Sequence, residues 1–166
     1  MKIATLCYLI DKDKKKILLG KKKYGGAKGK LNGFGGKFEQ TDSSIKKSLQ
    51  REFTEETGVN LKAPKLHAVL FFHFSENKKD ITVYVYKCFS WTGTLKESEE
   101  MSVHWYEENS IPVDKMWPSD SIWFPLVMKY SNLIIDLHFK KDHELPDEIS
   151  IKFNQKLKNQ LPSGLA

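Results

Sequence analysis

Arg51-Glu-Phe-Thr-Glu-Glu-Thr-Gly58 crowds Glu52, Glu55 and Glu56 into about one turn of a predicted helix, beside the only arginine among 27 lysines and arginines. Reading back from it, Ile45, Leu49 and Phe53 recur every four residues, which gives the helix one apolar stripe and sends the glutamates to another surface. Ser43 or Ser44 is the expected N-cap and Gly58 the C′ residue. In that frame Lys46 and Lys47 lie in the first turn and the glutamates near the last, the reverse of what the helix dipole favours. Each misplaced charge costs about 0.3 to 1 kcal/mol on an exposed helix, and the like charges at Glu52 and Glu56, four apart, add to it. A solvated acidic face is the plain alternative. Hard oxygen ligands gathered this way suit Mg²⁺ or Mn²⁺, whose charge turns repulsion into coordination. A lone guanidinium in so lysine-rich a chain points to a planar fork that holds a carboxylate.

The chain has 166 residues, 40% of them apolar, enough for one domain over residues 1–166 with a full core and no Pro/Ser-rich linker. Its net charge of +6 favours anionic partners, nucleotides as readily as nucleic acids. Cys7 and Cys88 are far apart and form no C-x-x-C pair, so buried thiols in a reducing compartment, the cytoplasm, are expected. No apolar run approaches the roughly 18 to 20 residues of a membrane span, and no signal-peptide layout is seen at the N-terminus. A soluble monomer with no membrane partner is expected.

Outward from the helix, Lys2 to Ile10 and Ile17 to Lys22 read as a hairpin around the turn Asp11 to Lys16. Lys21 to Gly36 carries six glycines and reads as a loop whose backbone can approach a ligand closely. It is not a Walker loop, since Gly29-Lys30 is followed by Leu31 rather than Ser or Thr. Leu66 to Phe74, Asp80 to Phe89, Val103 to Tyr106, Leu133 to Phe139 and Glu148 to Phe153 read as further strands. Ser121 to Tyr130 reads as a second helix, with Pro125 placed in its first turn, and Leu161 to Ala166 as a frayed end. A mixed α/β (α+β) fold, one sheet with helices on its two faces, accounts for this order. The five histidines show no metal-ligand spacing, and none is assigned to catalysis.

Gly36 through Val59 resembles the Nudix box, G-x5-E-x7-R-E-U-x-E-E-x-G-U with U apolar. Arg51, Glu52, Phe53, Glu55, Glu56, Gly58 and Val59 match its second half throughout. Counting back from Arg51, the leading glutamate falls on Ser43 with Asp42 beside it, and Gly36 stands one residue early, so the loop before the helix is one residue longer. Within the family the likeness runs toward the hydrolases of oxidised purine nucleoside triphosphates. It is carried by Asn32-Gly-Phe-Gly-Gly-Lys37, by Glu97-Ser-Glu-Glu-Met101 followed by Trp105, and by Met116-Trp-Pro-Ser-Asp-Ser-Ile-Trp-Phe-Pro125.

The resemblance implies the Nudix fold, a central mixed β-sheet sandwiched between helices, and a metal-dependent release of pyrophosphate from a nucleoside triphosphate such as 8-oxo-dGTP. By position, Glu52, Glu55 and Glu56 with the Gly36 carbonyl and Glu100 would hold Mg²⁺, or Mn²⁺ in its place. Any of Glu55, Glu56 and Glu100 could take a proton from water. Arg51, deprived of its usual partner by the longer loop, would pair with Asp42 or Glu39. Lys22 would meet the triphosphate. Asn32 would bind the base or sugar, Phe72, Phe74 and Trp117 would line and stack on the base, and Asp120 would read its Watson–Crick edge. The resembled branch has two adjacent aspartates where this chain has Ser119-Asp120, so narrower purine recognition is expected. A capped RNA 5′ end, a dinucleoside polyphosphate or a nicotinamide dinucleotide is the rival substrate within the family, and a non-catalytic nucleotide-binding module the rival outside it. For Asn32 a turn, for Lys22 and Glu100 solvated charge, for the aromatics plain core, and for Ser119 or Asp120 a helix cap are the alternatives that need no ligand.

Overall fold

Strand β1 (Lys2–Asp11) is the axis of the molecule, because its side chains are buried on both faces from Thr5 to Ile10. In the computed structural model, which describes residues 2–75, 79–140 and 144–165, β1 sits inside an eight-stranded mixed sheet. It pairs antiparallel with β2 (Lys16–Lys22) and parallel with β6 (Ile81–Cys88). Beyond β6 lie β5 (Lys65–Phe74), β9 (Leu133–Phe139) and the outer strand β10 (Glu148–Phe153). On the other flank β2 pairs with the short β3 (Leu31–Asn32) and with β8 (Met101–Glu107). A separate two-stranded ribbon joins β4 (Asn60–Leu61) to β7 (Trp91–Thr92).

Period-two alternation divides the core. Leu6, Tyr8 and Ile10 face the cluster that contains Trp123, Phe124 and Val127 of helix α2 (Asp120–Lys129). Cys7 and Leu9 face Ile45, Leu49 and Phe53 of helix α1 (Ile45–Thr57). The expected stripe on α1 is therefore the one buried, and a helix covers each face of the sheet as expected. Ser44 caps α1, its hydroxyl accepting the Lys47 N–H at 3.3 Å, and Gly58 ends it at φ 75°. The first turn holds no acid and the last no base, as read from the sequence. Cys7 and Cys88 are free and buried.

Three expectations need correction. The stretch Lys21 to Gly36 is not all loop: after β3, Phe34 exchanges two main-chain hydrogen bonds with Cys7, and the Gly36 carbonyl accepts the Thr5 N–H at 2.8 Å. This segment takes the place that β2 vacates as it diverges from β1. Pro125 lies past the first turn of α2, so its missing N–H removes a helical hydrogen bond. The neighbouring Trp123, Phe124 and Val127 are buried, and their packing offsets that loss. Residues 161–165 are docked rather than frayed. The Leu165 carbonyl accepts the N–H of Ile45, the first residue of α1, at 3.0 Å, and Leu161 and Leu165 pack on the α1 side of the core. Leu157 is buried there too, and Tyr84 Oη donates to the Gln160 carbonyl at 2.7 Å.

Leu157→Ala is expected to lower unfolding free energy by about 2 to 4 kcal/mol, the usual cost of emptying a buried leucine site. Urea denaturation checks this, and a loss within experimental error of zero would mean the tail is not part of the core.

Candidate active site

The segment Gly33 to Gly36 brings main chain against main chain. At Gly35, φ is 148° and a Cβ would overlap the Thr5 carbonyl. At Gly36 a Cβ would overlap the carboxylate of Glu52. Phe34, fully buried between them and Gly33, meets the ring of Phe53 edge-on at 5.3 Å and fixes this strand against α1. The glycines thus permit Glu52 to reach the backbone of the strand. Glu56, one turn further along α1, accepts the Gly35 N–H at 2.9 Å.

Arg51 is the clasp of this arrangement. Its Nε and Nη2 each donate to Asp42 at 3.0 Å, a bidentate pair, and Nη2 also reaches the Lys37 carbonyl at 3.3 Å. Asp42 in turn accepts the Glu39 N–H at 2.9 Å. Asp42, not Glu39, therefore replaces the missing glutamate. It stands six residues after Gly36, as the box requires of its leading acid, so the additional residue lies between Asp42 and Arg51. The guanidinium beside it holds the Asp42 carboxyl down at about 2. Arg51 Nη1 also donates to Glu52 at 3.0 Å and to Glu55 at 3.4 Å.

The carboxylates divide accordingly. Glu52 and Glu56 share the face toward the glycine strand, while Glu55, 60% exposed, lies on the outer side against Arg51. Burial pushes Glu56 up to about 7, opposed by the Gly35 N–H and by Lys22, and burial raises Glu52 as well. Glu100 arrives through the β2–β8 register, in which Lys22 is opposite Met101. Lys23 N–H donates to the Glu100 carbonyl at 2.9 Å, and its ammonium meets Glu97 at 3.0 Å, which pins the loop. Between the two acids stands the Lys22 ammonium, 3.5 Å from Glu56 and 3.3 Å from Glu100. A cation already bridges the acids in this geometry, and a Cβ-free wall admits Glu52 beside them. These donors fit a hard divalent ion. The Gly36 carbonyl, with one lone pair engaged by Thr5, retains the other.

Across the glycine strand from these acids opens a cavity of about 620 Å³. Asn32, Phe72, Phe74, Trp117, Ser119 and Asp120 all line it, together with Gly35 and Gly36. Asn32 Oδ1 accepts the Gly33 N–H at 2.8 Å, which leaves its NH₂ to donate elsewhere. Asp120 accepts the Trp117 N–H at 3.3 Å, and burial pushes its carboxyl up to about 6. Ser119 occupies the N-cap position of α2, yet its side chain makes no capping hydrogen bond. The buried Thr5 hydroxyl on this wall also lacks a hydrogen-bond partner. Phe139, Trp123 and Thr5 were missed in the sequence. Phe139 enters only through the parallel register that sets it beside Phe74, their rings 5.2 Å apart. Lys30, also missed, donates to the Met116 carbonyl at 3.3 Å and stands 5.7 Å from the Trp117 ring centroid.

The sheet also gathers His73, Asp136 and His138, on β5 and β9, within 4.8 Å of one another. Both nitrogens of His73 already face carboxylates, Asp80 at 3.1 Å and Asp136 at 3.4 Å. Its ring stacks on His138 at 18°, so the in-plane lone pairs do not converge. The group reads as a histidine ring held between two carboxylates.

The family profile described as NUDIX domain matches residues 1–127, and the chain belongs to this family, as a Nudix hydrolase. It is 35% identical over 130 residues to the oxidized purine nucleoside triphosphate hydrolase of Danio rerio, covering 77% of this chain and 80% of that one. It is 37% identical over 116 residues to the protein of the same name from Mus musculus, covering 69% and 72%. The crystal structure of a mutator MutT protein from Bacillus halodurans superposes with a TM-score of 0.76 at 24% identity, over 92% of this chain and 98% of that one. That likeness speaks to the fold.

Because Asp42 titrates near 2 when folded and near 3.9 when unfolded, its contribution is complete above about pH 4 and disappears as pH falls to 2. Wild type is expected to lose up to about 2 kcal/mol over that window that Asp42→Asn does not lose. Chemical denaturation at pH 5, 4, 3 and 2 measures it, and parallel curves for both proteins would refute the clasp.

Proposed function

We propose that residues 1–166 act as one domain that cleaves a nucleoside triphosphate to the monophosphate and pyrophosphate, on oxidised or otherwise modified purines such as 8-oxo-dGTP. The observation that carries this reading is the shared wall: Gly35 and Gly36 touch Glu56 and Glu52 and also line the aromatic cavity. A base in the cavity would lay its phosphates over the acids. The two animal relatives, named for hydrolysis of oxidised purine nucleoside triphosphates, support the substrate class.

Glu52, Glu56, Glu100 and the Gly36 carbonyl are the residues we assign to the metal, Mg²⁺ with Mn²⁺ as a substitute, and Glu55 would join them by turning in from its contact with Arg51. When bound, the ion supplies neutralisation of phosphate oxygens and acidification of water. Arg51 holds Glu52 in place through Asp42 and its own Nη1. Lys22, released from Glu56 and Glu100, turns to the phosphates. In the cavity, Phe72, Phe74 and Trp117 stack on or enclose the base. The NH₂ of Asn32 donates to it, and ionised Asp120 accepts from the N–H groups of a guanine Watson–Crick edge. Ser119 offers a hydroxyl where the resembled branch has a second carboxyl, so recognition is narrower here. Two buried free thiols are in keeping with the cytoplasm as its place.

Glu56→Gln is expected to cut Mg²⁺-dependent pyrophosphate release by at least about 100-fold with the fold retained; near-normal turnover would remove Glu56 from the site. A competitive panel of 8-oxo-dGTP, dGTP, methylated purine triphosphates, dinucleoside polyphosphate and capped RNA tests the substrate, and preference for either of the last two overturns it. Since Asp120 titrates near 6, loss of its acceptor form should raise KM for 8-oxo-dGTP as pH falls from 7 to 5, and Asp120→Asn should flatten that rise. Ser119→Asp should change the ratio of rates on 8-oxo-dGTP and dGTP; an unchanged ratio would contradict the pocket assignment.

A further inference from the structure

β10 is the outer strand of the sheet, and among the described residues it pairs only with β9. The Asn154 N–H donates to the Asn132 carbonyl at 2.7 Å, which continues the β9–β10 register with a directly bonded pair. Bonded and non-bonded pairs alternate along an antiparallel ladder. Glu148, Ser150 and Lys152 therefore turn their main-chain groups toward β9, while Ile149, Ile151 and Phe153 turn theirs outward. The same three residues also carry uncovered side chains, 41%, 44% and 68% exposed. With Tyr130 and Leu145 they make up five of the seven large hydrophobic residues exposed on the described surface, and the Phe153 ring rests edge-on against Tyr130 at 5.8 Å. An edge that combines open hydrogen-bonding groups with apolar side chains is a template for another strand. This strand lies beyond the residues matched by the family profile.

The sequence of the strand specifies its occupant. Glu148-Ile-Ser-Ile-Lys152 is its own complement when run antiparallel. Centred on Ser150, such a pairing sets Ile149 opposite Ile151 of a second copy, and their outward main-chain groups exchange hydrogen bonds. Glu148 then faces Lys152 of the second copy at a non-bonded position, where side chains approach most closely. Two-fold symmetry makes each of these contacts occur twice. The contact Glu148 makes with Lys140, at 3.5 Å between two exposed groups, is worth little and does not compete.

We propose that β10 pairs antiparallel with β10 of a second copy of this chain, centred on Ser150, joining two eight-stranded sheets into one. The monomer expected from the sequence gives way to a two-fold dimer, and this holds whatever the substrate of the cavity.

Sedimentation equilibrium of the full chain tests it. Wild type is expected to reach a dimer as concentration rises. Glu148→Lys and Lys152→Glu, each of which sets like charges across the axis twice, should each weaken it about tenfold. The double reversal should restore it. Ser150→Cys should cross-link copy to copy under mild oxidation, since non-bonded partners about 4.5 Å apart suit a disulfide. Unchanged turnover confirms that each variant is folded. A wild type that stays monomeric overturns the proposal. So does a dimer that is indifferent to both charge reversals and that the Ser150→Cys substitution fails to cross-link, an outcome that would place the interface elsewhere.

Discussion

The contact between the acidic face of α1 and the backbone of Gly35 and Gly36 is the constraint on which the rest of the structure turns. Two carboxylates four residues apart, near the end of a helix whose dipole repels them, are held against a strand that can receive them only because it carries no side chain there. The unfavourable charges are not relieved within the last turn of the helix, which has no basic residue. They are relieved by Arg51, a turn earlier in α1, and from outside the helix by the Gly35 N–H and by Lys22 reaching from β2. A site that collects negative charge at local cost is the expected mark of function overriding local propensity.

The same contact explains how one strand segment serves two chambers. Because β2 diverges from β1, the segment from Phe34 to Phe38 completes the pairing of β1, and its glycines become a partition one backbone thick. On one side stand the acids of α1 and the loop that bears Glu100; on the other, an aromatic cavity floored by β1 and β5 and closed by the turn before α2. Asp120 draws that turn closed by accepting the Trp117 N–H, and burial pushes its carboxyl up to about 6.

Local patterning made much of this legible. The stripe Ile45, Leu49, Phe53, the cap at Ser44 and the αL turn at Gly58 follow from spacing and backbone chemistry within a few residues. Arg51 was readable as a carboxylate fork because it stands alone among lysines, and the longer loop narrowed its partner to Asp42 or Glu39; the choice of Asp42 came from the fold. Long-range register was not legible. The glycine segment read as a loop because its pairing with β1 depends on where β2 peels away. Phe139 reaches the cavity, and His73 meets Asp136 and His138, only through the parallel pairing of β5 with β9. The docked tail, whose Leu165 carbonyl caps α1 from more than a hundred residues away, carries no local signal at all.

The most direct test of the central claim is anomalous diffraction from crystals soaked in Mn²⁺ and a non-hydrolysable nucleoside triphosphate analogue. The account requires manganese density within coordination distance of Glu52 and Glu56, the phosphates beside it, the base between Trp117 and Phe72, and Lys22 swung away from Glu56 and Glu100. Manganese bound elsewhere, with Glu52 and Glu56 bare and the Lys22 bridge intact, would contradict it.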